Sequence, residues 1–403
     1  MPRALTAADV RTGLLFYALS SAIVLLSAWF GNTFVQRWPG WEDDGKDYLG
    51  ALCRYDGNWY VGIATEGYSY DPSRPSNVAF FPAYPLAARA VIDLTGCRPE
   101  VATLVVAHAF LAATFVLLHA YVRVRAANGR TGPSAELVLL LFGVFPTTFF
   151  FRLGYTESMF AFWCVLILFG SERGWHPLWL ALIAGAATAT RAPGVALGLV
   201  VLWDLWQRSP TAGRLIRDAL LYGLICTWGL IAFIFYQWLA LGEPLAFVRT
   251  QEYWNSYPGQ SPGGAIVSIL TFEPVWDTYY SGSARWWQGH DAYNHTPFSL
   301  QAANPIYFVL SCAAIGWGWW KRRLTPAELL LSAGLLLIPY LTRAYPNSMG
   351  SFGRFCAVVV PIYLVFGDWL RRLSAGWVGL IAAILSAWLI GYSALFGAAW
   401  WLV

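Results

Sequence analysis

The chain has 403 residues and a formal net charge of +4; 58% of the residues are hydrophobic and only 12% charged, with a mean hydropathy of +0.50. A soluble domain carries about a quarter charged residues, so this balance excludes a string of soluble domains and gives an all-α, polytopic membrane protein. The small net charge also argues against a nucleic-acid partner.

The N-terminus is short and basic (Arg3, Arg11), and the first apolar run, 13–30, resembles a signal sequence without a clear small-residue cleavage site. It therefore reads as a retained first span. Further apolar runs follow at 101–122, 135–151, 155–170, 177–190, 193–206, 219–241, 305–320, 327–341, 355–370 and 377–403, which makes about eleven candidate transmembrane helices. Basic clusters sit at Arg123/Arg125/Arg130, Arg208/Arg214/Arg217, Lys321/Arg322/Arg323 and Arg371/Arg372. The positive-inside rule places these with the N-terminus in the cytoplasm and the C-terminus outside. The alternation closes only if 177–206 crosses twice, around Arg191-Ala192-Pro193-Gly194; a single kinked helix is the alternative.

Two long polar segments then face away from the cytoplasm, 31–100 and 242–304, both rich in Trp, Tyr and Pro. They read as folded outer loops on the membrane surface, the place where function is built. Cys53 and Cys97 flank the centre of the first, and a disulfide between them or two free thiols both fit an outer compartment. No CxxC or Cys/His spacing points to zinc.

The first outer segment carries Arg54-Tyr55-Asp56-Gly57-Asn58-Trp59-Tyr60, an acid among aromatics close to the lipid boundary. A carboxylate in such surroundings suits a general base; an Asp at this point also suits a helix cap. Outer-face arginines Arg54, Arg152, Arg191, Arg343 and Arg354 either snorkel to headgroups or bind a lipid phosphate through the planar donor fork. Arg191 and Arg354 stand out because each adjoins an apolar run with a glycine nearby. Glu157, at the start of a span, is either a functional intramembrane acid or a first-turn acid favoured by the helix dipole. His290 and His295 read as surface-loop histidines, and Asp43, Asp44 and Asp47 as a solvated acidic turn before a cation site; Asn294-His295-Thr296 matches a glycosylation acceptor by pattern alone.

Taken together, Arg54-Tyr55-Asp56-x-x-Trp59-Tyr60-x-x-Ile63-Ala64-x-x-Gly67-Tyr68 and Ala79-Phe80-Phe81-Pro82-x-Tyr84-Pro85 resemble the signature of the membrane mannosyltransferases typified by the enzyme that adds the second mannose in GPI-anchor assembly. These belong to the GT-C glycosyltransferase superfamily. Tyr155-Thr156-Glu157-Ser158-x-Phe160, Ala189-Thr190-Arg191-x-x-Gly194 and Gly353-Arg354-Phe355 follow in the same order. The resemblance implies one GT-C transmembrane domain over 1–403, with an extracytoplasmic active site in which the Asp56 carboxylate is the catalytic general base. It implies a polyprenyl-phosphate mannose donor, an inverting transfer to an acceptor hydroxyl, and donor or phosphate contacts from Arg54, Arg191, Arg343, Arg354, Glu157, Trp59 and Tyr60. No cofactor and no divalent cation is expected. Trp59-Tyr60 stand where eukaryotic members tend to have His-Phe, and the Arg-rich, Lys-poor composition without a retrieval signal looks bacterial, which implies a plasma-membrane location. A bacterium has no GPI pathway, so the acceptor (a glycan, glycolipid or protein) is not carried over. Two other classes stand beside the enzyme: a lipid-linked sugar flippase, which calls for mid-span charges and matching halves, and a non-catalytic scaffold, which gives no reason for ordered motifs.

Overall fold

A computed structural model describes residues 5–38, 45–255, 262–288, 298–400 and 402. The described residues are helical or irregular, with no strand among them. Helix α1 (Ala7–Phe34) opens on a capping box in which Thr6 and Asp9 satisfy each other's backbone N–H groups. Two short helices follow, α2 (Tyr48–Ala51) and α3 (Asp56–Glu66), then the amphipathic α4 (Ala83–Thr95) and the long α5 (Pro99–Ala127), which starts with proline at a position where no N–H is needed. Helix α6 (Ala135–Val144) breaks at Pro146, and a 3-10 segment, Pro146–Arg152, leaves it at 82°. Proline supplies no N–H to the ladder and clashes with the preceding turn, so the bend falls there.

Helices α7 (Glu157–Glu172) and α8 (Pro177–Thr190) form an antiparallel pair, and a 3-10 turn, Ala192–Leu197, sends the chain back as α9 (Gly198–Arg208). The return is fixed at both ends. Arg191 meets Glu157 at the start of α7, while Arg208 Nη2 donates to the Trp175 carbonyl beyond its end, at 2.9 Å. The stretch 177–206 thus runs the bundle twice. At the reversal Gly194 lies so close to α8 that a Cβ would stand 2.4 Å from the Ala187 carbonyl carbon. Helices α10 (Ala212–Cys226) and α11 (Trp228–Leu241) are bent by 54°. The second polar segment forms α12 (Ala246–Arg249), α13 (Pro262–Leu270) and α14 (Glu273–Trp276). Then come α15 (Leu300–Trp320), α16 (Pro326–Pro339) with a π-turn at Tyr340–Ala344, α17 (Phe352–Ala357), α18 (Pro361–Leu370) and α19 (Ala375–Gly397).

Among the described residues, four helices are long and apolar enough to cross a bilayer, and up to six spans result if each bent pair counts as one. That is fewer than the eleven apolar runs suggest. The runs are helical, but several are 10 to 16 residues long, short of the roughly 20 residues a bilayer asks of one straight helix. Helices α1 and α19 pack backbone to backbone: a Cβ at Gly31 would fall 1.8 Å from the Ala394 carbonyl oxygen, and one at Gly397 2.1 Å from that of Ala28. Small residues at such a crossing are the usual means of helix association in lipid.

The basic clusters share one end of the bundle. Arg123 pairs with Asp9, Arg125 with Glu328, Arg323 with Asp368 at 3.4 Å, and Arg371 and Arg372 with the same Asp368 at 2.7 and 2.8 Å. At the other end, about 40 Å away along α5, the two polar segments close over each other. Ser76 N–H donates to Thr250 Oγ1 at 3.0 Å, Tyr253 donates to the Pro72 carbonyl at 2.7 Å, and Phe81 meets Phe247.

Candidate active site

Between these two segments lies a cleft of about 1420 Å³. Asp56 lines it from the first turn of α3, where a carboxylate is favoured by the exposed N–H groups of the helix. The residue before it is strained. Tyr55 has φ 57°, ψ −118°, outside the regions a bulky side chain prefers. Surrounding contacts over-determine it: the Tyr55 hydroxyl donates to the Ala399 carbonyl at 2.5 Å, and its ring meets Phe396 edge-on. Strain held this way, one residue from a candidate base, is typical of functional sites.

The Asp56 carboxylate is held on one side only. Oδ2 accepts from Arg354 Nη1 at 2.6 Å, and Arg354 Nε stands 3.8 Å from Glu157 Oε1. Glu157 is 1% exposed and also takes Arg191, which in addition donates to Thr156 Oγ1 at 3.4 Å. The ring of Phe355 lies under both guanidiniums, 5.4 Å from Arg191 and 5.7 Å from Arg354. The result is a relay of alternating charge, Asp56–Arg354–Glu157–Arg191. Beside Asp56, Trp59 stacks on Phe80 with ring centres 5.7 Å apart, and Trp254 from the second polar segment closes on both. Tyr60 is buried, shares a hydrogen bond with Thr156 Oγ1 at 3.4 Å and packs against Phe80 and Tyr84.

The family described as Mannosyltransferase (PIG-V) matches residues 42–335, most of the chain. The chain belongs to that family. The matched span holds Asp56, Glu157 and Arg191 and ends before Arg343 and Arg354. Among curated relatives of this PIG-V-family chain, the GPI alpha-1,6-mannosyltransferase 2 of Rattus norvegicus is 34% identical over 132 residues, 31% of this chain and 26% of that protein. The Mus musculus protein of the same name is 31% identical over 162 residues, 38% of this chain and 31% of the other. The chain thus aligns with less than a third of either relative's length. Of solved structures, an oligosaccharyltransferase of Archaeoglobus fulgidus in the apo form aligns over 97% of this chain and 55% of its own, at 14% identity and a TM-score of 0.47. The archaeal oligosaccharyltransferase AglB of the same organism, in complex with an inhibitory peptide and a dolichol-phosphate, aligns over 98% and 56%, at 12% identity and a TM-score of 0.45.

Of the residues singled out in the sequence, Asp56, Trp59, Tyr60, Arg191, Arg343 and Arg354 line the cleft. Glu157 stands behind that wall and acts on it through Arg191 and Arg354. Arg54 does not line it. Its guanidinium is fully buried and donates to the Gly397 and Phe396 carbonyls at 2.7 and 3.5 Å, where it binds the C-terminal end of α19. Arg152 is buried too, donating to the Thr148 carbonyl and Ser20 Oγ, each at 2.7 Å.

Cys53 and Cys97 are free thiols, not a disulfide. Cys53 is buried with its sulfur 3.4 Å from Thr103 Oγ1, and burial pushes the thiol up to about 11; Cys97 packs in a separate cluster with α4. Asp47 caps α2 through Gly50 N–H and pairs with Arg98 at 2.6 Å, which holds its carboxyl below the usual range. Asp43, Asp44, His290, Asn294, His295 and Thr296 lie outside the described residues. No cluster of three potential metal ligands occurs among the described residues. Cleft residues that sequence reading passed over include Gln251, Asn347 and Ser348; the turn signals around 346–351 mark a bend, but nothing in them marks a site.

Proposed function

We propose that the chain transfers a hexosyl group, mannose by family, from a polyprenyl-phosphate donor to an acceptor hydroxyl at the extracytoplasmic membrane face. Asp56 is the general base. With Oδ2 clamped by Arg354, the carboxylate presents Oδ1 to the cleft, where it takes the acceptor proton. The acceptor oxygen forms its bond to the anomeric carbon as the bond from that carbon to the phosphate oxygen breaks, and the lipid phosphate leaves from the opposite face with inversion. Positive charge on the cleft wall, which Arg343 carries there, meets the charge that develops on the phosphate. The aromatic wall of Trp59, Phe80 and Trp254 shields the reacting groups from water. In this reading the basic end of the bundle is cytoplasmic, the protein is a multi-pass membrane protein, and the acceptor is a glycan, glycolipid or protein hydroxyl.

One observation carries the reading: the acid in the family motif is the carboxylate that arginine 298 residues away orients at the cleft wall. The test incubates purified protein with tritiated polyprenyl-phosphate mannose and a membrane extract of the source cells. Label is expected in a new product with the anomeric configuration opposite to that of the donor. Donor left intact in the presence of extract, or label retained with the donor's configuration, contradicts it.

A further inference from the structure

The three arginines on the cleft wall are not equivalent. Arg191 and Arg354 each have a carboxylate partner. Arg343 has none among the described residues: its Nη1 donates to Gln251 Oε1. With the Asn347 amide turned so that its oxygen faces the guanidinium, Nε and Nη2 donate to that oxygen at 3.1 Å each, and the Asn347 nitrogen donates to the Trp254 carbonyl at 2.6 Å. Both partners of Arg343 are neutral, so its charge is held in place but not cancelled. Among the shielded groups, three guanidiniums face two carboxylates, Asp56 and Glu157, and the surplus sits at Arg343. Glu252 also lines the cleft, but at an exposed position. A partly buried charge without a counter-ion is costly to maintain and calls for a mobile one.

A second observation lies five residues on. Ser348 is 5% exposed and lines the same cleft, yet its hydroxyl has no hydrogen-bond partner. Buried hydroxyls are nearly always bonded, and exceptions in a cleft point to a ligand. The backbone here is strained as well: Ser348, Met349 and Ser351 have φ of 49°, 59° and 68°. The turn is fixed by Met349 N–H to the Ala344 carbonyl at 3.1 Å, Gly350 N–H to Asn347 at 2.8 Å and Gly353 N–H to Asn304 Oδ1 at 2.8 Å. Arg343 itself lies in the π-turn that ends α16, and the neighbouring Leu337 and Leu341 are 50% and 57% exposed on the apolar flank of that helix.

We propose that Arg343, the Ser348 hydroxyl and the turn that carries it form an oxyanion site for the phosphate ester of a lipid alcohol, with the hydrocarbon lying along α16 past Leu341 and Leu337. Arg191 and Arg354 then serve Glu157 and Asp56 as positioning residues and do not bind the phosphate. The surplus positive charge suits an anionic phosphate ester, a diester in the donor and a monoester in the lipid phosphate that leaves. This division of labour rests on the cleft being the donor site proposed above, but phosphate binding can be measured without sugar transfer.

The test titrates farnesyl phosphate and, separately, inorganic phosphate into the full chain in detergent, followed by phosphorus NMR line broadening, with hexose transfer assayed apart. Arg343→Gln and Ser348→Gly are each expected to weaken farnesyl phosphate binding at least tenfold, Arg343→Lys less, and Arg354→Gln less than threefold. Ser348→Gly also relieves a left-handed residue, so its thermal midpoint is expected to stay at or above the parent's, and lost affinity then reports the hydroxyl. Parent affinity in both Arg343→Gln and Ser348→Gly overturns the site. An equal loss in Arg354→Gln overturns the division of labour, and inorganic phosphate binding as tightly as farnesyl phosphate overturns the lipid-ester assignment. If binding follows the expected pattern while no hexose leaves a lipid phosphate, the oxyanion site stands and the transferase reading falls.

Discussion

Glu157→Gln tests the charge relay behind the cleft with the smallest change of shape. The glutamine keeps an oxygen for Arg191 but removes the negative charge that Arg191 and Arg354 share. At an effective dielectric of about 20, opposite charges about 4 Å apart attract by about 4 kcal/mol, and breaking a buried pair on one side costs a net of about 3–5 kcal/mol. With Glu157 1% exposed, the upper part of that range applies, a large fraction of the ~5–15 kcal/mol that holds a typical fold. Arg354 is then left to Asp56 alone, which draws the carboxylate off its working direction. A loss of about 1–3 kcal/mol of transition-state stabilisation is a drop of about 5- to 150-fold in kcat. The assay pairs equilibrium unfolding in mixed micelles, read by tryptophan fluorescence, with initial rates of mannose transfer. A variant that loses less than about 1 kcal/mol of stability and turns over at the parent rate would falsify the relay.

Three further outcomes are expected. Arg54→Lys removes the guanidinium whose Nη1 donates to the Gly397 and Phe396 carbonyls and should cost about 1.5–3 kcal/mol of stability, with the donor KM unchanged; a raised donor KM at parent stability would restore Arg54 to the substrate. Cys53, buried and pushed up to about 11, should resist maleimide at pH 8 in the folded protein while half-buried Cys97 reacts, and peptide mapping without reductant should find no Cys53–Cys97 link; a linked peptide would contradict the free thiols. Asp47→Asn, which keeps a cap for α2 but loses the exposed Arg98 pair, should change stability by less than about 1 kcal/mol, whereas Asp47→Ala should cost about 1 kcal/mol more. Equal losses in the two would place the weight on the ion pair.

The helical, membrane-type architecture was legible because apolar run length is a local property of the sequence; whether 177–206 doubles back at Arg191 or runs on as one kinked helix was open there, and the Arg191–Glu157 and Arg208–Trp175 contacts decide for the reversal. The number of full spans was not legible, because apolar content does not say whether a run is one straight helix or a broken one, as at Pro146. Asp56 stood out through its motif. Its partner Arg354 is 298 positions away, and no spacing rule links the two. Arg54 shows the converse. It is two residues from Asp56 in sequence, but the unusual Tyr55 backbone sends its side chain into the end of α19 instead of the cleft. The Cys53–Cys97 pairing was allowed by compartment and excluded by packing, since the two sulfurs belong to different clusters of the core. Ser348 was invisible for a different reason: a serine in a turn-rich segment is ordinary, and only burial without a partner makes it a candidate.

The central claim is that Asp56 removes the acceptor proton. Asp56→Asn keeps an oxygen for Arg354 and the shape of the first turn of α3, so folding and farnesyl phosphate binding should match the parent. Transfer of mannose from the polyprenyl-phosphate donor should fall by about 10²–10⁴. A well-folded Asp56→Asn protein that transfers mannose at the parent rate would contradict the account.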